Sequence, residues 1–198
     1  MVRTGRRPAR GGEPSSTRQA ILGSARREFA AGGFERATIR RIAAGAGVDP
    51  ALVHHYFGAK DDLLIEAVRM PVLPDVMLER VTREEPSRAG EEVARLFFSV
   101  WEQPESRTIL LGLLRSAMTH DRAAEMLRDL VTRRLLGPVA DVLVRERAEL
   151  RAGLAATQLI GMAIARYVIG LGPIAEASVD DLVTTVAPTI QRYLAGDL

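Results

Sequence analysis

Cysteine is absent from the 198-residue chain. That excludes disulfides, thiolate metal sites and cysteine nucleophiles, and it is consistent with an intracellular, cytoplasmic setting. Lysine occurs once, at Lys60. The Val/Ile/Thr alternation that marks strands is scarce, while Ala, Leu, Arg and Glu dominate, so an all-α fold is expected. No long apolar run is free of charge. The longest, Ala152 to Ala175, contains Gln158, Arg166 and Pro173. A mid-helix arginine is costly in lipid, so this segment reads as a buried helix rather than a membrane span. The basic N-terminus is not followed by an apolar segment, so no signal peptide is read. Histidine is also sparse, and His54 and His55 adjoin each other. Neighbours on a helix point about 100° apart and cannot share one ligand site. With no phosphate-cradling glycine loop and no serine nucleophile setting, the inventory argues against an enzyme. Neither a metal nor a cofactor is expected.

What is present is a lopsided charge. Residues 1–60 hold ten arginines and one lysine against four acids, a net of +7. Residues 61–198 hold sixteen arginines against twenty-one acids, a net of −5. A basic front half points to a polyanion, and the acidic remainder is left for other work.

The basic part contains the most informative stretch, Thr38 to Phe57, TIRRIAAGAGVDPALVHHYF. Thr38 is placed to cap a short helix whose inward side carries Ile39, Ile42 and Ala43. Gly47 supplies the positive φ that a tight helix-to-helix turn needs. Asp49 caps a second helix, and Pro50 sits at its first position, where a missing N–H costs nothing. Leu52, Val53 and Tyr56 give that helix an inward face. Two short helices around a glycine turn form a helix-turn-helix, whose second helix fits a DNA major groove.

Ala43, Gly47, Val48, the run Leu52-Val53-His54-His55-Tyr56-Phe57 and Lys60 resemble the tetracycline-repressor (TetR) family of bacterial regulators. The resemblance covers roughly residues 16–70 and implies roles position by position. Thr38, Arg40 and Arg41 are expected at the DNA. Pro50, Ala51 and Leu52 approach base edges. His54, His55 and Tyr56 contact phosphate or bases, and Lys60 neutralises a phosphate. Polar residues common in the family at positions 50–52 are missing here, so base reading leans on Arg40, His54, His55 and apolar contact with thymine methyls. His54 stands where the family usually has tyrosine.

Around this motif the expected organisation has three parts. Residues 1–15 form a disordered basic arm, 16–62 a helix-turn-helix domain, and 63–198 a helical effector-binding and dimerisation domain, with about nine helices in all. Helix 1 is expected from about Ser16, with Ser16 and Gln19 in capping-box spacing, to a stop at Gly32-Gly33. Helix 4 opens at Lys60-Asp61-Asp62 and is interrupted by Pro71 and Pro74. Further helices are expected over about 87–102, 104–118, 121–147, 152–171 and from Ser178 onward. The helix over 121–147 should bend or break at Gly137-Pro138.

In the C-terminal part, Phe97, Trp101, Leu114, Met118, Met126 and Met162 are the candidates for an apolar small-molecule pocket of the kind the family encloses. Thr157, Gly161 and Ala165 form a small-residue stripe. With Leu182, Val186 and Ile190 it resembles the family's dimer interface. One helix-turn-helix makes too few contacts for specific binding, so a homodimer on a pseudo-palindromic operator of double-stranded DNA is expected. The function implied is a sequence-specific repressor released from its operator by a small-molecule effector. A dimeric DNA-binding protein without an effector is the alternative.

Overall fold

The computed structural model describes residues 14–68, 78, 79, 81, 86–144 and 146–198. The basic arm up to residue 13, together with Pro71 and Pro74, lies outside the described residues. Among those residues no strand occurs, and the chain is all-α.

Helix α1 (Pro14–Arg36) buries Ile21, Leu22, Ala25 and Phe29 on one side. It starts at Pro14, so Ser16 lies within the first turn instead of capping it. Residues 14 and 15 belong to the helix rather than to the arm. The expected stop at Gly32-Gly33 is a kink: the chain leaves helical dihedrals at Gly33 (φ 66°, ψ −174°) and resumes to Arg36. Three short helices follow, α2 (Ile39–Ala46), α3 (Pro50–Phe57) and α4 (Lys60–Ala67). They close over a core containing Phe29, Phe34, Ile42, Val53 and Leu63, which continues into Ile109, Leu113 and Met126 farther along the chain.

After a 3-10 turn (Pro86–Arg88) come α5 (Ala89–Trp101) and α6 (Pro104–Ala117). Next is α7 (Asp121–Asp129), which runs through a π-helical segment (Leu130–Leu135) into α8 (Leu136–Leu143). Pro138 cannot donate a backbone bond, and its ring crowds the carbonyl four residues back. A wider π turn just upstream relieves that crowding. The helix therefore passes through Gly137-Pro138 without a break and stops at Leu143, short of the expected Arg147.

Helix α9 (Ala148–Ala163) also ends in a π segment (Ile164–Ile169), followed by a short α10 (Gly172–Glu176), which the sequence does not announce. The last helix, α11 (Val179–Ala195), is capped by Ser178, whose hydroxyl accepts from the Asp181 N–H at 3.1 Å. A second core joins α5, α8, α9 and α11 through Val93, Phe98, Leu136, Leu159, Val183 and Ile190.

Two features of this body matter below. The first is the crossing of α1 and α6. A β-carbon on Gly112 would lie 3.3 Å from the Gly33 Cα, and one on Gly33 would lie 3.2 Å from the Gly112 carbonyl oxygen. Two backbones meet there, with the Ser116 hydroxyl, which donates to the Gly112 carbonyl at 2.8 Å, beside the contact.

The second is the one-sided burial of α9. Ala148–Ile169 is long and apolar enough to cross a membrane by length and composition, yet only 28% of its apolar window is buried. The segment expected to be a buried helix is covered on one side, and Leu150, Thr157, Gly161, Val168 and Ile169 face outward. Its arginines are held internally. Arg151 donates to the carbonyls of Glu146, Tyr193 and Gly196, and Arg166 to those of Ile174, Ala175 and Ala177.

Candidate nucleic-acid interface and apolar cavity

The α2–α3 hairpin is built by caps. The Thr38 hydroxyl accepts from the Arg41 N–H at 3.2 Å, and the Asp49 carboxylate accepts from the Ala51 N–H at 2.8 Å. Between them Gly47 takes the left-handed conformation (φ 68°, ψ 30°), in which a β-carbon would crowd the following carbonyl. Its N–H and that of Val48 return to the carbonyls of Ala44 and Ala43 at 3.1 and 3.0 Å, satisfying the end of α2. Ile42, Ala43, Val53 and Phe57 are buried and fix how the hairpin lies on α1.

With those inward positions filled, the opposite face is determined. Thr38, Arg40, Arg41, Ala51, Leu52, His54 and His55 are exposed, while Pro50 and Tyr56 are half-buried. Leu52 is 40% exposed, which corrects its expected inward role: the apolar contacts of α3 are made by Val53 and Phe57. Arg41 is not wholly available, because its Nε lies 2.9 Å from the Glu28 carboxylate of α1, a pairing that no local pattern announces. The Nδ1 of His54 lies 3.0 Å from the Gly58 carbonyl, which can only accept, so Nδ1 carries the proton. His55 meets the Tyr56 ring edge-on at 5.4 Å.

Lys60 differs from its neighbours in the motif. It is half-buried, with its ammonium 4.2 Å from the centre of the Phe34 ring. Burial lowers its pKa, while Glu35 pulls in the opposite direction. The ring supplies part of what water would have given the charge.

Helix α4 links this hairpin to the body. Asp62 receives the Ala59 N–H at 3.2 Å and pairs with Arg134 of the π segment at 2.6 Å, while Glu66 pairs with Arg18 of α1. The other side of α4 contributes Leu64 and Ile65, and its C-cap Val68, to a cavity of about 150 Å³ lined also by α5, α6, α7, α8, α9 and the first π segment. Of the residues expected in a pocket, Phe97, Trp101 and Leu114 line it. The three methionines do not. Met118 caps the end of α6 and is 73% exposed, Met126 is buried in the first core, and Met162 packs against the second. Their places in the wall are taken by Leu110, Leu127, Leu130 and Leu159, which in the sequence look like any core leucine. Behind Trp101 the Tyr167 ring stacks at 5.3 Å, its hydroxyl donating to Glu102 at 2.9 Å. Burial, then the Glu102 carboxylate, pushes the Tyr167 phenol up.

The expected dimer residues divide. Thr157 and Gly161 are exposed on the outer side of α9, and Ala165 is half-exposed in the π segment that follows it. Leu182, Val186 and Ile190 are instead buried within their own chain, in the core that α11 shares with α5. The outward positions of α11 are Asp180, Asp181, Thr184, Thr185, Pro188 and Arg192.

Residues 87–194 match the family described as tetracyclin repressor-like, C-terminal domain, and residues 21–67 match that described as bacterial regulatory proteins, tetR family. The C-terminal match alone spans more than half of the chain. The chain belongs to the TetR family. A TetR-family regulator from Streptomyces coelicolor is 34% identical, with a TM-score of 0.66 over 96% of this chain and 99% of that one. The transcriptional repressor AcnR of Corynebacterium glutamicum is 41% identical over 61 residues, 31% of this chain and 32% of AcnR. The transcriptional regulator BetI of Rhizobium meliloti is 41% identical over 69 residues, 35% of this chain and 30% of BetI. The match thus spans about a third of the length of these curated relatives.

Proposed function

We propose that this TetR-family chain is a cytoplasmic, sequence-specific DNA-binding repressor. It acts as a homodimer and leaves its operator when a small molecule occupies the apolar cavity. The observation carrying the reading is the two-sided hairpin. Caps and a buried inner face hold α3 rigidly, while Arg40, Arg41, Leu52, His54 and His55 stand together on the open side. Arg40 and Arg41 supply phosphate affinity, and Ala51, Leu52, His54 and His55 meet base edges. Pairing of two chains uses the outward stripe Thr157, Gly161, Ala165 of α9 with Thr185, Pro188 and Arg192 of α11, and presents two reading helices one DNA turn apart. The cavity wall includes α4, so a ligand that fits one setting of α4 better shifts DNA occupancy by its differential affinity, and by no more than that.

The test is selection of bound fragments from random duplexes, followed by footprinting at rising salt. A palindromic site protected at moderate salt is expected. Weak binding to all duplexes alike, vanishing as salt rises, overturns the reading.

A further inference from the structure

Resting on the effector reading above, we propose that the cavity takes a compact, uncharged hydrocarbon-type molecule on the scale of a single ring, and rejects acids and amines of the same size. Every lining side chain among the described residues is Leu, Ile, Val, Phe, Trp or Ala. Among the described residues neither an ionisable nor a hydroxyl side chain stands in the wall. A carboxylate or ammonium placed there leaves water and gains no partner, a loss that the surrounding apolar contacts do not offset.

Charged groups beside the described wall are committed to one another. Behind Trp101, Glu102 receives both the Tyr167 hydroxyl at 2.9 Å and the Arg166 guanidinium at 3.1 Å. Within the π segment, Arg134 is paired with Asp62. Engaging a charged head group would break one of these pairs.

Size narrows the class further. The cavity holds about 150 Å³, and apolar-lined cavities of this volume stay dry and accept benzene or xenon. Part of the wall, Leu130, Val131 and Leu135, belongs to a π segment, a distortion that recurs at functional sites.

The chain's one tryptophan, Trp101, is in the wall and reports occupancy directly. The full-length protein is titrated at neutral pH with toluene, benzoate and benzylammonium, following Trp101 emission and Tm. Toluene should give a saturable emission change and raise Tm by mass action. The two ions should bind at least about tenfold more weakly.

Two variants place the response. Val100→Phe fills the space and abolishes the toluene response without lowering Tm. Leu159→Ala enlarges it and shifts preference from toluene toward naphthalene, so the site remains testable if the first variant does not fold. No saturable response to toluene in the wild type, or equal binding of benzoate or benzylammonium, overturns the proposal. Toluene binding that leaves operator affinity unchanged upholds the ligand class and removes the effector reading. An ion that releases DNA and perturbs Trp101 does the opposite.

Discussion

The α2–α3 hairpin and the apolar cavity are specified in opposite ways. In the hairpin, single residues with few substitutes fix the backbone: Thr38 and Asp49 accept particular N–H groups, Gly47 takes a left-handed conformation, and Pro50 starts a helix. In the cavity, no lining residue has a unique task. Leucines, isoleucines and valines from several elements fail to fill a space that their backbones set. The first region is precise because of what each residue does locally. The second is a property of a sum of volumes, and it tolerates exchange so long as the sum holds.

That contrast is open to being broken by substitution. Phe29→Ala removes a buried ring stacked 6.3 Å from Phe34 under the hairpin. It should lower the unfolding free energy by about 3–5 kcal/mol, read by urea denaturation. A loss well under 1 kcal/mol would mean that the hairpin does not depend on the α1 core. Gly47→Val puts a branched side chain at φ 68° and should cost about 1–2 kcal/mol. DNA affinity should fall with it in a gel-shift titration. A valine variant as stable as the parent would show that the turn is not fixed by its glycine.

Two smaller effects sharpen the comparison. Arg40→Ala should leave Tm unchanged and reduce the salt dependence of DNA binding by about 0.9 log units per log unit of salt, the release expected from one phosphate contact. Selective loss at one operator base pair would instead make Arg40 a base reader. Lys60 concerns stability at alkaline pH. Burial holds its pKa below the ordinary 10.5, so the unfolded chain binds this proton more tightly than the folded chain does. The resulting penalty is full below the folded pKa and is relieved as pH rises through it toward 10.5. Wild type should therefore gain stability relative to Lys60→Met over that interval in denaturant melts. A constant difference would mean that the Phe34 ring compensates the ammonium fully.

Legibility in the sequence follows the same division. The turn, both motif caps and the order of the main helices could be read because each rests on a short-range bond, such as Asp49 to the Ala51 N–H. The cap at Ser16 failed because Pro14, two residues earlier, already starts a helix. The bend or break expected at Gly137-Pro138 takes the form of a π segment just upstream, a distortion of which periodicity carries no mark. Leu182, Val186 and Ile190 form a true apolar stripe. A stripe says that one face is covered, not which neighbour covers it, and here the cover is α5 of the same chain. The methionines failed as pocket markers for a related reason. Pliability suits a cavity wall, but position decides membership, and the wall went to leucines such as Leu127 and Leu159.

The glycine crossing of α1 and α6 bears on how movement travels. A contact between side chains has slack, because rotamers absorb a shift of several tenths of an ångström. Where Gly33 and Gly112 meet, the side chain at hand is that of Ser116, whose hydroxyl is held by the Gly112 carbonyl at 2.8 Å. Helix α6 also carries Leu110, Leu113 and Leu114 of the cavity wall on its way to that crossing. A displacement of α6 therefore reaches α1 through backbone, with little besides one tethered hydroxyl to absorb it, like a lever bearing on its fulcrum with a thin cushion.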